Sequence, residues 1–127
     1  MDDLEEIYAI FKTKEVFQGG YMRFLKSDLK KELVSGNYIY RDGAYISWID
    51  KGKYIKLKKF VSLYEGQGYG LSVFREFMDR VVDDRDVYLK ALKTNQRAID
   101  FYERNCFVCM FDYEKYYQYV FRKSFLL

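Results

Sequence analysis

Two segments at the start of the chain place apolar residues at helical spacing. The first follows Asp2 and Asp3, either of which can cap a helix N-terminus, and the second ends at Gly36, a residue type common at helix C-termini. Between them the run Gln18-Gly19-Gly20 interrupts the pattern. The apolar positions are Leu4, Ile7, Tyr8 and Phe11 in the first predicted helix, and Met22, Leu25, Leu29 and Leu33 in the second, predicted over residues 21–34.

The next segments alternate between apolar and polar residues, which is typical of strands. Residues 37–41 and 44–49 form a predicted hairpin, because Asp42-Gly43 between them is a strong two-residue turn signal. A turn over residues 50–52 then leads into a longer strand, residues 53–63. Lys59 falls on the apolar face of that strand, so we expect a β-bulge near Lys58 or Lys59. The apolar residues of this face are Ile55, Leu57, Val61 and Leu63.

A glycine-rich turn, Gly66-Gln67-Gly68-Tyr69-Gly70, opens a third amphipathic helix. Glycines allow backbone N–H groups to turn toward an anion, and a helix N-terminus adds unpaired donors and a partial positive charge. The segment therefore indicates a phosphate-binding turn, with a plain strand-to-helix turn as the alternative. The apolar residues of the helix are Leu71, Phe74, Phe77, Met78 and Val81.

The rest of the chain predicts one more helix between strands. A strand begins at Val87, a helix led by Asn95 follows, and a further strand runs into a closing hairpin of residues 110–113 and 116–122. The predicted order is two helices, three antiparallel strands, helix, strand, helix and two strands. This order predicts an α+β fold with a mixed, mainly antiparallel sheet flanked by helices.

The glycine turn and the run from Asn95 to Glu103 together resemble the GNAT N-acetyltransferase superfamily. In that family a glycine loop holds the pyrophosphate of acetyl-CoA, and a later Asn-x-x-Ala-x-x-Phe-Tyr-Glu helix lines the pantetheine. The resemblance covers residues 54–107 and implies a GNAT-like acyl-CoA N-acyltransferase fold without the usual first strand. It implies an acetyltransferase that uses acetyl-CoA as co-substrate and no metal. In length and in its Lys/Tyr-rich, proline-free composition, the chain is also similar to short acetyltransferase-like proteins of bacteriophages.

The resemblance also implies residue roles. Tyr102 would be the catalytic residue that protonates the leaving CoA thiolate, and backbone N–H groups around residues 60–62 would stabilise the oxyanion. Asn95 and Tyr102 are seven positions apart, so we expect them on one helix face, about 10 Å apart along the axis. A buried tyrosine with a satisfied hydroxyl is the alternative for Tyr102. The residues assigned to acetyl-CoA binding are Phe60, Val61, Ser62, Gly66, Gln67, Gly68, Tyr69, Gly70, Leu71, Asn95, Ala98 and Tyr102.

Two positions depart from the family pattern. Glu65 stands at the head of the glycine loop, where the family usually has Arg or Gln, and its carboxylate would repel a pyrophosphate unless it points outward. After the Asn95 helix, Asn105-Cys106-Phe107 replaces the usual x-Gly-Phe, so we expect Asn105 to supply any left-handed residue.

Composition narrows the class of protein. With 127 residues the chain is predicted to form one GNAT-like domain, residues 1–127. It has no apolar run of membrane-span length and an acidic start unlike a signal peptide, so we expect a cytosolic protein without membrane contact. The absence of histidine excludes histidine-based triads. Cys106 and Cys109 lie in a strand-like run after a helix, so we interpret them neither as a redox pair nor as a zinc site.

Five lysines between positions 51 and 59 indicate either a solvated strand face or contact with an acidic acceptor, a nucleic acid or an acidic protein surface. Three functions stay open: an N-acetyltransferase for an amine of a protein or small molecule, a CoA-using enzyme that modifies a nucleic-acid base, and a non-catalytic binding module. Oligomeric state is not predicted. For the general base, the sequence offers Asp50, Glu32, Asp112 or a water molecule. The five lysines are Lys51, Lys53, Lys56, Lys58 and Lys59.

Overall fold

The computed structural model of the protein describes residues 2–17, 25–64 and 66–126, with the side chains of residues 14–17 left aside. Within these residues, four α-helices and six strands follow one another in the predicted order. The helices are α1 (Asp3–Phe17), α2 (Lys26–Ser35), α3 (Tyr69–Glu76) and α4 (Gln96–Arg104). The strands are β1 (Tyr38–Arg41), β2 (Ala44–Asp50), β3 (Tyr54–Ser62), β4 (Asp86–Leu92), β5 (Val108–Asp112) and β6 (Tyr116–Phe121). A π-helical turn, Phe77–Val82, extends α3, and a short 3₁₀ turn spans Lys123–Leu126.

The sheet has the strand order β1-β2-β3-β4-β6-β5. The β1–β2, β4–β6 and β5–β6 pairs are antiparallel, and the β3–β4 pair is parallel because α3 crosses over between its two strands. The predicted α+β fold with a mixed, mainly antiparallel sheet is therefore confirmed.

The chain forms two compact units. Unit 1 comprises Met1–Trp48 and Lys58–Val81, and unit 2 comprises Ile49–Leu57 and Val82–Leu127. Strand β3 contributes residues to each unit. That residues 1–127 act as one domain stays a prediction.

The core of unit 1 forms where α1 and α2 meet strand β2. Asp2 caps α1, since its side-chain oxygen accepts from the backbone N–H of Glu5 at 2.9 Å. The predicted apolar stripe of α1 is confirmed, with Leu4 and Tyr8 packed at the edge of the buried cluster. Residues 18–20 lie outside the described residues. The cluster consists of Ile7, Phe11, Leu29 and Tyr45.

Helix α2 begins later than predicted. Its first residue is Lys26, and Leu25 precedes it with an extended backbone and a 57% exposed side chain. Leu25 is therefore not part of the apolar stripe, whereas Leu29 is buried as predicted. Met22 lies outside the described residues. The predicted end is confirmed, because Gly36 is left-handed and its N–H donates to the carbonyl of Leu33.

The β1–β2 hairpin turns at Asp42-Gly43 as predicted. Both residues have positive φ, 54° and 75°, which is the conformation of a two-residue turn that matches strand twist. Strand β3 ends at Ser62, one residue earlier than predicted, and Leu63 is 36% exposed. The N–H of Leu63 donates to the carbonyl of Gly43 at 2.9 Å.

The π-helical turn after α3 changes which residue is buried. A regular helical repeat predicts burial of Val81, but Val82 is the buried residue, at 1% exposure. In a π turn the hydrogen bonds close five residues apart instead of four, so the apolar stripe moves by one position after Phe77.

Unit 2 has an aromatic core between α4 and the sheet. The ring of Tyr102 on α4 lies 6.5 Å from Tyr119 on β6 and 5.5 Å from Phe107, which in turn lies 5.4 Å from Phe121. The closing hairpin is confirmed, although β5 begins at Val108 rather than at residue 110, and its pairing with β6 shifts between Cys109 and Phe111.

The left-handed residue after α4 is Cys106 and not, as predicted, Asn105. The φ angle is 70° at Cys106 and −100° at Asn105. Cys106 occupies the position where the GNAT pattern has glycine, and it keeps the glycine-like conformation although it carries a side chain. Left-handed backbone costs a non-glycine residue about 1–2 kcal/mol.

We therefore expect Cys106→Gly to raise the free energy of unfolding by about 1 kcal/mol, since glycine adopts positive φ without steric cost but adds some chain entropy. Urea denaturation measures the change. Asn105→Gly is the matched control and should give no gain, because Asn105 has negative φ and its side chain donates to the carbonyl of Phe101 at 2.8 Å. A gain at position 105 with none at position 106 would contradict the assignment.

Candidate functional site

The glycine turn of unit 1 is built from residues with positive φ. Gly66 has a φ of 77° and Gly68 one of 82°, and an added Cβ at either position would meet no atom within 4 Å. Glycine is therefore required here by the backbone conformation and not by crowding. Such a turn can direct consecutive N–H groups toward one point. Glu65 lies outside the described residues.

Helix α3 starts directly at this turn. Its N-cap is Gly68, whose carbonyl accepts from the N–H of Ser72 at 3.0 Å. The N–H groups of residues 69–71 precede this first helical bond, so the helix itself offers them no acceptor. No acidic residue occupies the first turn. The start of α3 therefore has the donors and the local charge that favour an anion.

Gly70 has a different reason to be glycine. Its φ is not in the left-handed region, but an added Cβ would lie 3.3 Å from the Cβ of Ser62 and 3.5 Å from the ring of Phe60. Gly70 thus allows α3 to approach β3 closely. A bulky residue at position 70 would therefore disturb this packing as well as any bound phosphate.

Arg41, which was not among the predicted site residues, holds α3 against β1. The guanidinium of Arg41 donates to Glu76 at 2.6 Å and to the hydroxyl of Ser72 at 2.9 Å. Glu76 also pairs with Arg80 at 2.9 Å. Arg41 ends strand β1 just before the Asp42-Gly43 turn, and only the fold brings it to a helix some thirty residues away.

The three predicted residues of β3 divide between the two faces of the strand. Phe60 and Ser62 face Gly70, and the ring of Phe60 lies 5.8 Å from that of Phe74. Val61 packs against the buried cluster of α1 and α2. A contribution of Val61 to a ligand site would therefore come from its backbone. The parallel pairing of β3 with β4 comprises Tyr54 to Lys56, and residues 57–62 continue beyond it.

Asn95 caps helix α4 in unit 2. Its side-chain oxygen accepts from the N–H of Ala98 at 3.2 Å, and the helix proper begins at Gln96. The prediction of Asn95 and Tyr102 as two residues of one helix face is therefore only partly right. Asn95 precedes the helix, and its oxygen already has a backbone partner.

Tyr102 is 6% exposed and lies among aromatic rings, with Phe101 at 5.7 Å and Phe107 at 5.5 Å. Burial raises the pKa of its hydroxyl well above the ordinary value near 10. The hydroxyl is therefore protonated throughout the physiological range, and it is a weaker acid than a tyrosine in water.

The carboxylates that the sequence offered as bases have other partners. Asp50 accepts from the N–H of Gly52 at 2.8 Å and from Arg85 at 2.9 Å, and these bonds lower its pKa. Asp112 forms an exposed ion pair with Lys93. A carboxylate with a lowered pKa is a weaker base, so Asp50 is not prepared for proton abstraction.

Glu32 is a buried carboxylate with a full set of donors. Its Oε1 accepts from the hydroxyls of Tyr45 at 2.8 Å and Ser47 at 2.7 Å, while its Oε2 accepts from the ammonium of Lys59. Lys58 also approaches, at 3.7 Å. These contacts give Glu32 a structural role and remove Lys59 from the predicted solvated group of lysines. The bulge at Lys58 or Lys59 stays a prediction.

Other site types find no support in the described part of the chain. Cys106 and Cys109 are both free and exposed. Among residues 2–17, 25–64 and 66–126 there is no group of three histidine, cysteine or carboxylate side chains that could hold a metal. No helix within these ranges is long and apolar enough to cross a bilayer.

No known protein family matches the sequence, and no curated protein is significantly similar to it. Solved structures do match. PaiA N-acetyltransferase from Thermoplasma acidophilum, in complex with coenzyme A, aligns with a TM-score of 0.78 at 14% identity over 94% of this chain and 92% of that chain. An acetyltransferase of the GNAT family from Staphylococcus aureus gives 0.71 at 16% identity, over 94% and 92%. NAA60 of Arabidopsis thaliana, in complex with a bisubstrate analogue, gives 0.66 at 16%, again over 94% and 92%.

These alignments span nearly the whole of both chains, although the sequences have diverged widely. They show that the protein has the fold of GNAT acetyltransferases, and the GNAT-like fold predicted from the two motifs is confirmed. The individual site residues stay predictions.

Because Glu32 neutralises a lysine away from solvent, we expect Glu32→Ala to lower the free energy of unfolding by about 3 kcal/mol. Urea denaturation measures the loss. Glu32→Gln should lose less, since it keeps an acceptor for Tyr45 and Ser47. Lys31→Ala, at an exposed position of the same helix, should stay within about 0.5 kcal/mol of the wild type. If Glu32→Ala and Lys31→Ala unfold at the same urea concentration, the carboxylate has no such role.

Proposed function

We propose that the protein is an acetyl-CoA-dependent N-acetyltransferase that transfers an acetyl group to an amine. The observation that carries the proposal is the turn of positive-φ glycines at the start of α3 within a GNAT fold. Several neighbours of this fold are acetyltransferases, and one was solved with coenzyme A.

The pyrophosphate of acetyl-CoA is assigned to the N–H groups from Gly66 to Leu71. Gly66 and Gly68 turn the backbone, and Gln67 and Tyr69, which follow them, contribute further N–H groups. The start of α3 adds the helix dipole. The two phosphate charges would be met by backbone donors, with no lysine or arginine needed in the turn.

By the GNAT resemblance, the pantetheine and thioester are assigned to residues of β3 in unit 1 and, separately, to residues of unit 2 at and after Asn95. Backbone N–H groups of Phe60 to Ser62 would donate to the pantetheine amides or to the thioester carbonyl. At the N-cap of α4, the amide nitrogen of Asn95 can still donate while its oxygen accepts from the N–H of Ala98, and Ala98 itself has a small side chain.

In the reaction, a neutral amine attacks the thioester carbonyl and forms the new C–N bond. The resulting oxyanion is stabilised by a backbone N–H of β3, and the C–S bond then breaks. Tyr102 donates its proton to the leaving CoA thiolate and recovers one from the nitrogen of the product through water. Water is the favoured proton carrier, because Asp50 and Glu32 are held by other donors.

The acceptor is expected to carry negative charge near its amine. Lys51, Lys53 and Lys56 are exposed, whereas Lys59 is engaged by Glu32. An acidic protein surface or a nucleic acid would satisfy this charge. The glycine turn is evidence for binding of the cofactor, and it carries no information about the acceptor.

A non-catalytic module is the second candidate, and the burial of Tyr102 favours it. A hydroxyl that is packed among aromatic rings and resists ionisation serves packing as readily as catalysis. The presence of Glu65 at the head of the glycine loop also favours this candidate, since its charge would repel a pyrophosphate unless the side chain is directed outward. This candidate would keep the fold without acetyl transfer.

Calorimetry tests cofactor binding directly. We expect acetyl-CoA to bind with saturable heat, and S-acetylpantetheine, which lacks the phosphates, to bind at least about tenfold more weakly, because each charged hydrogen bond contributes about 1.5–3 kcal/mol. Glu65→Gln should bind acetyl-CoA at least as tightly as the wild type. Equal affinities for the two ligands would contradict the phosphate assignment, and no heat at millimolar acetyl-CoA would contradict the proposed function.

Tyr102→Phe should lower turnover by about 10²–10⁴-fold with little change in acetyl-CoA affinity, since the lost proton acts on the leaving thiolate. Release of the CoA thiol with a panel of amines measures turnover. Tyr119→Phe is the matched control, because it removes another buried hydroxyl of the same core, one that donates to Glu103 at 2.9 Å. If both variants turn over like the wild type, Tyr102 has only a packing role.

A further inference from the structure

A cavity of about 390 Å³ lies on one face of the unit 2 part of the sheet. Three neighbouring strands supply its side chains, since Lys56 of β3 is opposite Tyr88 of β4, and Lys90 of β4 is opposite Gln118 of β6. The volume is that of a small-ligand pocket. The cavity is lined by Tyr54, Lys56, Tyr88, Leu89, Lys90 and Gln118.

The charge of this cavity favours an anion. Its lining contains two lysines and no carboxylate. Within the described ranges, neither Lys56 nor Lys90 forms an ion pair. The flanking carboxylates are already neutralised, because Asp50 pairs with Arg85 at 2.9 Å and Asp86 pairs with Arg122 at 3.1 Å.

The aromatic groups of the cavity favour a flat ligand. The rings of Tyr54 and Tyr88 meet edge to face at 5.2 Å, and Tyr54 is 38% exposed. Tyr54 therefore offers an exposed ring, packed against Tyr88, beside the two lysines of the cavity.

Beyond the cavity, further aromatic rings follow next to Lys90. The ammonium of Lys90 lies 4.9 Å from the ring centre of Tyr116, which is 4.9 Å from Tyr113, and Tyr113 is 6.0 Å from Phe111. Phe111 is opposite Gln118 in the register, so it shares this face. Phe111 and Tyr113 are 51% and 42% exposed. A single nucleotide would occupy only the cavity, whereas an extended strand could use the whole series.

We propose that this tyrosine–lysine face, defined by Tyr54, Lys56, Tyr88, Lys90 and Tyr116, binds single-stranded nucleic acid. One base would stack on Tyr54, phosphates would lie near Lys56 and Lys90, and the aromatic rings beyond would take further bases. Lysines next to stacking platforms are the features that bind single strands without sequence readout. A duplex hides its base faces, and an acidic protein would leave the tyrosines unused. The inference does not depend on acetyl transfer.

Fluorescence anisotropy with a labelled 12-nucleotide oligothymidylate tests the lysines. We expect saturable binding at low salt, and in Lys56→Gln/Lys90→Gln a slope of log affinity against log salt that is smaller by about 1.4, at ~0.7 per lost phosphate contact. Lys30→Gln/Lys123→Gln is the matched control, since it removes the same charge from exposed positions outside the cavity and should keep most of the slope. Equal slopes in the two double variants would overturn the proposal, as would no binding by the wild type.

Tyr54→Leu tests stacking in the same assay. It should weaken binding by roughly 5- to 150-fold, the range for one lost base–aromatic stack. Tyr64→Leu, at another exposed tyrosine that belongs to unit 1, should bind like the wild type. Equal effects of the two substitutions would overturn the proposal. So would a 12-base-pair duplex or poly-glutamate that binds as tightly as the single strand, or thymidine monophosphate that competes as well as the oligonucleotide.

Discussion

Unit 1 depends on one buried carboxylate. Removing the carboxylate of Glu32 from water costs several kcal/mol, and the cost is offset because three donors from two strands meet it: Tyr45 and Ser47 from β2, and Lys59 from β3. An interaction of this kind constrains geometry more than it adds stability, since any shift of α2 along the strands would leave a charge unpaired. Strand β3, which carries Phe60 and Ser62 next to the glycine turn, is thereby fixed in position.

The fold was predictable where a local rule decides the structure. Asp42-Gly43 gave the hairpin because only a few residue types accept positive φ at two successive positions. Gly36 ended α2 for the same reason. The predictions of burial and element bounds failed where a tertiary contact or an unusual turn determines the local structure. Because of the π turn after α3, Val82 is buried instead of Val81. The residue types at positions 77–82 do not predict such a turn.

The glycine turn was predictable as a local structure, but the separate reasons for its glycines were not. The glycine turn was located correctly, yet Gly70 contacts β3 whereas Gly66 and Gly68 set the backbone, a distinction that needs coordinates. The ion pair of Glu32 with Lys59 did leave a signal. Glu32 comes three residues after Leu29 on the apolar face of α2, and Lys59 falls on the apolar face of β3. Two charged residues of opposite sign at buried positions predict that they meet.

The burial of Tyr102 sets a condition on the proposed chemistry. Desolvation raises the pKa of the tyrosine hydroxyl, and in water it would not give its proton to a thiolate whose parent thiol has a pKa near 8.5. The same desolvation acts on the thiolate, which as a localised anion is destabilised when water is excluded. In the proposed mechanism, proton transfer from Tyr102 would therefore require that the thiolate forms where water is excluded. Under that condition a buried tyrosine could act as the acid at C–S cleavage, and without a bound cofactor it would serve only as a packing residue.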